Sequence, residues 1–408
     1  MRPENGVSVR SEVGRLRTVL VHRPGAELNR ITPSNMAELL FDELVWVERA
    51  VEEHEAFTHL MRRAGVEVLY LRELLTDVIA AADETDRVAM VEAHATERRC
   101  GPSLLKRVRR LLLDLPPAEL ADQLVAGVTV DDVGGGQGLF ATVIDRHHPI
   151  LAPLPNAVFM RDSSAWIGEG VLLSPMNRVA RRRETDLLRE VYSRHPRFSG
   201  APVWFGDEPD DHWPATFEGG DVLVVGDRGL AVGMSERTTP QGVEVLAHRL
   251  FEAGVVDRIL AVDLPKVRAA MHLDTVVTMV DVDAFIVYPS LLRGARSYQL
   301  IPGDSGIQVT EAKRLVDGLA WAAGLDHARI IEPDLSSVSA EREQWNDANN
   351  TFALSPGEVI AYERNVATNE ILREAGVTVH TMPSYELPRG RGGPRCMTCP
   401  ILRDPLSG

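Results

Sequence analysis

A chain of 408 residues with a formal charge of −15, 44% hydrophobic and 25% charged, can bury one large core or two modest ones and needs no covalent staple. Its acidic balance argues against nucleic acid as the main partner and favours a cationic ligand. Three cysteines (Cys100, Cys396, Cys399) make no disulfide framework, the polar N-terminus lacks a signal peptide's apolar core, and no run approaches the roughly 20 apolar residues of a membrane helix, so a soluble cytoplasmic protein is expected.

In chain order, residues 17–22 read as a strand, with residues 6–9 upstream as its expected partner. A helical pattern then stops at Ala64-Gly65-Val66, and a β-branched run follows over 66–71. Between about Glu73 and Arg146 the strand signal gives way to helical apolar spacing (Val88, Val91, Leu104, Leu105, Val108, Leu111, Leu112), punctuated by Pro116-Pro117. The spacing predicts a helical insert, whose basic face reads as a solvated one.

Beyond it come paired β runs broken by turn chemistry: 164–174 turning at 168–170, 221–233 at 226–229, 275–288 at 281–283 and 351–362 at 355–358. Each is followed by a helical pattern and a further strand, at 201–205, 258–264, 328–331 and 377–381, with three more helix stops at Ala253-Gly254-Val255, Ala323-Gly324-Leu325 and Ala375-Gly376-Val377. A unit of two strands, a helix and one more strand thus recurs about five times. Spacing alone leaves a stacked or radial arrangement and ordinary α/β alternation equally open.

Each hairpin is preceded by a polar segment: Asn156 to Asp162 with Phe159, Phe217-Glu218-Gly219-Gly220-Asp221, Met271-His272-Leu273-Asp274, and residues 345–350. If the units surround an axis, these segments converge on one pocket. Asp162, Glu218 and Asp274 would hold a cation there, best a planar guanidinium with several donors in a fork. His272 and Asp274, two apart, would face the same side of an extended segment. Gly390-Arg391-Gly392-Gly393-Pro394-Arg395-Cys396 places a thiol on an irregular loop, which makes Cys396 the candidate nucleophile and His272 its proton carrier. No Walker or dinucleotide motif is present, and no close Cys or His pair suits zinc, so neither an organic cofactor nor a metal is expected. Cys396 and Cys399 have redox-pair spacing, but the following Pro400 disfavours that role.

Taken together, Thr32-Pro33-Ser34-Asn35, Leu39-Leu40-Phe41-Asp42, the Phe-x-Arg-Asp ending at Asp162, Arg181-Arg182-Arg183-Glu184-Thr185, Glu218-Gly219-Gly220-Asp221, Met271-His272-Leu273-Asp274 and the Cys396 loop resemble the arginine deiminase family, in order and over nearly the whole chain. The resemblance implies the pentein fold, a five-fold pseudosymmetric α/β propeller of ββαβ units, formed by residues 1–72 and 147–408, with an inserted helical domain at 73–146. It implies that Cys396 attacks the guanidinium carbon of L-arginine, that Asp162 and Asp274 hold its nitrogens, and that Glu218 assists His272 as general acid and base. Ammonia would leave, a thiouronium intermediate would remain, and water would release citrulline. Arg181 and Arg237 would meet the substrate carboxylate, Asn156 and Phe159 would line the pocket, and Gly390 and Arg391 would gate it. A homo-oligomer is expected. Met160 stands where the family commonly has Thr, and Cys399 where an apolar residue is usual. An amidinotransferase of the same fold and a non-catalytic amino-acid sensor are the alternatives.

Overall fold

In the computed structural model, which describes residues 6–136, 138–207, 212–304, 306–333 and 337–406, one pattern of strand pairing is repeated. The hairpins Ser164–Ile167/Gly170–Leu173, Val222–Gly226/Gly229–Met234, Val277–Met279/Ala284–Val287 and Phe352–Ser355/Glu358–Tyr362 are antiparallel. The second strand of each pairs in parallel with one that follows a helix: Val203–Phe205, Arg258–Asp263, Arg329–Ile331 and Thr378–Met382. The crossover helices are Arg182–Arg194, Pro240–Glu252, Leu315–Ala323 and Val366–Glu374. A parallel return needs such a crossover, and the helix covers the sheet's apolar face.

The expected helix stops are where the sequence puts them. Gly65, Gly254, Gly324 and Gly376 all have positive φ (80°, 64°, 74° and 87°), a conformation in which a Cβ would be strained.

The first unit departs from expectation. Leu16–Val21 pairs antiparallel not with residues 6–9 but with Cys399–Arg403 at the far end of the chain, and in parallel with Glu67–Tyr70 after the helix Val47–Arg63. Ser8 and Val9 contribute only isolated bridges, to Leu402 and Gly168. Cys399 and Ile401 of the C-terminal strand are fully buried in the same cluster as Val7 and Val9, so both segments reach the core and the C-terminal one takes the edge of Leu16–Val21. The strand that follows Cys396 is thereby built into the first sheet, giving five ββαβ-type sheets among the described residues.

Between the first and second units the chain is mostly helical: Leu71–Ala81, Glu84–His94, Glu97–Asp114, Pro117–Ala126 and Leu139–Val143, with a small sheet of Val128–Thr129 and Pro149–Leu151. Leu74, Val78, Leu120 and Leu124 share one buried cluster with Leu187, Leu188 and Val191 of the second unit's helix. The third sheet is extended by a further hairpin, Ser297–Gly303/Gly306–Glu311. Among the described residues no helix is long and apolar enough to cross a membrane.

Candidate active site

The polar segments fold as short turns. Pro155–Val158, Gly219–Asp221 and Leu273–Thr275 are single 3-10 turns and Met160–Ser163 is one turn of helix; hairpins start immediately after Met160–Ser163 and Gly219–Asp221, and one residue after Leu273–Thr275. Tight turns bring consecutive polar side chains to one end of each sheet, and this gathers the site. His272 is extended but Asp274 already lies in a turn, so the two do not face one way through strand alternation as the spacing suggested. The turn sends His272 towards Asp162 and Glu218, and Asp274 towards Cys396.

His272 Nε2 lies 2.7 Å from Glu218 Oε2, and Nδ1 lies 3.5 Å from Asp162 Oδ1. Burial alone would lower the imidazole's pKa, but the Asp162 charge and the Glu218 hydrogen bond prevail and carry it up to about 9. Burial works against ionisation of Glu218 too, yet Arg237 and His272 bring its carboxyl down to about 2. The neutral-pH state is an imidazolium between carboxylates. Gly219 and Gly220 are sterically required: a Cβ on Gly219 would stand 2.2 Å from the Arg161 carbonyl, and one on Gly220 would stand 2.7 Å from His272 Nδ1 and 2.8 Å from Asp162 Oδ1.

Cys396 sits in a turn, buried, with Sγ 3.6 Å from Asp274 Oδ2 and 3.8 Å from Oδ1. Burial pushes its pKa well up, and the Asp274, Asp162 and Asp347 charges add to that. Its amide donates to Asn350 Oδ1 at 3.0 Å, while Asn350 Nδ2 donates to the Asp274 carbonyl at 2.9 Å. Asn350 therefore ties thiol to acid; it was visible in the sequence only as part of the polar segment 345–350. Arg395 holds Asp274 from behind, Nη1 to Oδ2 at 2.7 Å. Cys399, three residues on, is buried 3.4 Å from the Ser164 carbonyl on the side of the second sheet, and Met160 is buried in the core.

Two carboxylate oxygens in this cluster, Asp162 Oδ1 and Glu218 Oε1, are buried and accept no hydrogen bond. Ligand atoms of Asp162, Glu218 and His272 lie within 4.8 Å of one another, a spacing that would also fit a metal ion. Arg181 and Arg237 already stand against the two carboxylates, at 2.5 Å and 3.3 Å, so any metal would add to charge that is largely balanced.

Arg181 is more occupied than the resemblance led us to expect. Its Nη1 donates to Asp162, its Nε and Nη2 to Glu184, and Nη2 also to the carbonyls of Asn156 and Phe159. In this structure it aims Asp162. Arg237 donates through Nε to Glu236 at 2.9 Å. Asn156 is buried with Nδ2 on the Leu39 carbonyl, and Phe159 lies under the Cys396 loop, so close that a Cβ on Gly390 or Gly392 would meet its ring at 2.8 or 2.4 Å. Arg391, at φ 62°, stacks 3.5 Å from the centroid of Trp345, and its three guanidinium nitrogens are buried without a hydrogen-bond partner.

The arginine deiminase family model matches residues 37–403. Arginine deiminase of Rhodococcus erythropolis is 43% identical over 403 residues, covering 98% of each chain. That of Mycobacterium avium is 45% identical over 400 residues, covering 97% of this chain and 98% of the relative. Among solved structures, the N-terminal domain of ArgZ, an arginine dihydrolase from cyanobacteria bound to product, superposes with a TM-score of 0.54 at 14% identity, covering 95% of this chain and 97% of that one. A dimethylarginine dimethylaminohydrolase variant from Pseudomonas aeruginosa with citrulline gives 0.53 at 15%, covering 94% and 99%. At those identities the structural likeness speaks to the fold.

Proposed function

Because the chain belongs to the arginine deiminase family, we infer that it hydrolyses L-arginine to L-citrulline and ammonia at the cluster around Cys396. The observation that carries the site assignment is the pair of buried oxygens, Asp162 Oδ1 with His272 Nδ1 3.5 Å away and Glu218 Oε1, that accept no hydrogen bond and that a planar cation with several N–H groups would satisfy. A guanidinium fits that demand, and the thiol and Asp274 stand at 3.6 Å from each other beside it. The five repeated sheets are arranged as a five-fold pseudosymmetric propeller around this site, with residues 73–146 as the inserted helical domain.

The chemistry follows from charge. In the free enzyme burial and three carboxylates keep the Cys396 proton on. Arrival of the guanidinium offsets those charges, the proton leaves to solvent, and the thiolate attacks the guanidinium carbon. His272, protonated at neutral pH, gives its proton to the departing nitrogen, which leaves as ammonia; the thiouronium remains on Cys396. The neutral imidazole then takes a proton from water, the hydroxide adds to the same carbon, and the adduct collapses to citrulline as its hydroxyl proton passes to the departing sulfur, which restores the Cys396 thiol. Asp162, Glu218 and Asp274 hold the cation throughout. Arg181, Arg237 and Arg391 form the cationic wall at the carboxylate end, and Arg391, with no hydrogen-bond partner, is the one released to bind.

Incubation with arginine alone tests this: equal amounts of citrulline and ammonia are expected, and Cys396→Ala should bind arginine without turnover. A strict need for an acceptor amine would instead show transfer, and arginine binding by the wild-type protein with no turnover at all would show a sensor. Agmatine, which lacks the carboxylate, should be a poor substrate.

A further inference from the structure

One buried charge has no part in the chemistry above. The helix Val47–Arg63 buries Ala50, Glu53, His54, Phe57 and Met61, a stripe at helical spacing in which Glu53 is the sole acid. A carboxylate there is costly unless several donors meet it. Its donors are three successive backbone amides from the far end of the chain. Tyr385 N donates to Oε1 at 2.8 Å, Glu386 N to Oε1 at 3.1 Å and Oε2 at 3.0 Å, and Leu387 N to Oε2 at 3.1 Å. The Glu53 side chain is 0% exposed, with Arg49 Nε 3.8 Å away. The contact is reciprocal: Glu386 Oε2 accepts the amide of Trp46, at the start of the same helix, at 2.8 Å, and lies 3.1 Å from Arg389 Nε.

Three N–H groups turned to one point make a concave anion site, here filled by the chain's own carboxylate. The backbone beyond it carries Arg391 and leads to Cys396. We propose that Glu53 is a positioning residue which pins the base of the 385–395 loop, so that the Arg391 tip swings to admit and cover arginine while the base and the nucleophile keep their places. The arginine at the tip is the part free to move, because it is held by a ring stack and not by hydrogen bonds. The base has no such freedom. The substrate in this proposal rests on the arginine-hydrolysing reading; the anchor does not.

Hydrogen exchange on the native protein is the first test. Amides of Tyr385, Glu386 and Leu387 should be the most protected in the loop with or without arginine, and those of Gly392 and Gly393 should exchange faster and slow down when arginine binds. The second is Glu53→Gln, which places an NH2 group against a backbone N–H. Tryptic cleavage after Arg389 and Arg391 should accelerate about tenfold, and the KM for arginine should rise about tenfold with kcat changed less, the factor expected for one lost charge-assisted hydrogen bond. Equal exchange at base and tip, native cleavage and KM in the variant, or cleavage accelerated uniformly along the chain would each overturn the proposal. An enzyme inert towards arginine would refute the functional reading, while exchange and cleavage would still judge the anchor.

Discussion

Gly220 stands so close to His272 that the first carbon of any side chain would come within 2.7 Å of Nδ1. The backbone there is not left-handed, so alanine is excluded by the imidazole and by Asp162 alone. Gly220→Ala should therefore fold and yet displace His272 from the 2.7 Å hydrogen bond with Glu218. A shift of this size typically costs on the order of 100-fold in kcat. Steady-state kinetics beside a melting curve check it; a variant with native kcat would show that His272 has room to spare.

Asn350→Ala removes the acceptor for the Cys396 amide and the donor to the Asp274 carbonyl in one step. Each orphaned buried group costs about 1–3 kcal/mol, so kcat should drop by tenfold or more while arginine binding to the other carboxylates persists. The comparison of kcat with KM reads this directly.

Burial first, and the carboxylates of Asp274 and Asp162 second, hold the Cys396 pKa well above its ordinary value. Asp274→Asn should lower it and speed alkylation of the thiol by iodoacetamide at neutral pH, even as turnover is lost. Slower alkylation in that variant would reverse the sign of the argument.

His272 titrates at about 9 in the fold against 6.5 unperturbed. As the proton donor to the leaving nitrogen, it should give a kcat that falls as pH rises through about 9. A raised pKa also means that the folded state binds the proton more tightly than the unfolded chain does. The associated stability is present in full below 6.5 and is lost as pH climbs towards about 9. Denaturant unfolding at several pH values should show that decline, and His272→Gln should flatten it.

What the sequence disclosed was whatever its own neighbourhood determines. The helix stops at Gly65, Gly254, Gly324 and Gly376, and the four hairpin turns, depend on a few adjacent residues, and they stand where they were expected. The pairing of Leu16–Val21 with Cys399–Arg403 joins the two ends of the chain, and nothing near residue 16 records that partner. The same limit hid Asn350 and Glu53, whose roles consist of hydrogen bonds to backbone far away in the chain. Arg181 was legible as a site residue but not as one tied to Asp162 and Glu184, because a motif conveys proximity without saying which partner takes each N–H.

The floor beneath the nucleophile offers a last, separable expectation. Glu12 receives Arg395 through both oxygens, Nε at 3.0 Å and Nη2 at 3.0 Å, and accepts the Val224 amide at 3.2 Å. Burial opposes its ionisation, but Arg395 and Arg161 prevail and take its carboxyl down to about 2. Arg395 immediately precedes Cys396 and also holds Asp274, so it needs this partner to remain buried beside the cations of Arg161 and Arg403. Glu12→Gln leaves that guanidinium short of one counter-charge. Breaking one side of a buried ion pair costs about 3–5 kcal/mol, which equilibrium unfolding would register. Since the Glu12 pKa is depressed, its contribution is present above 4.5 and lost as pH falls towards about 2, so the gap between wild type and variant should narrow in acid. A gap that is small at neutral pH, or that stays constant into acid, would mean that Arg395 is held by Asp274 and the Val222 carbonyl alone.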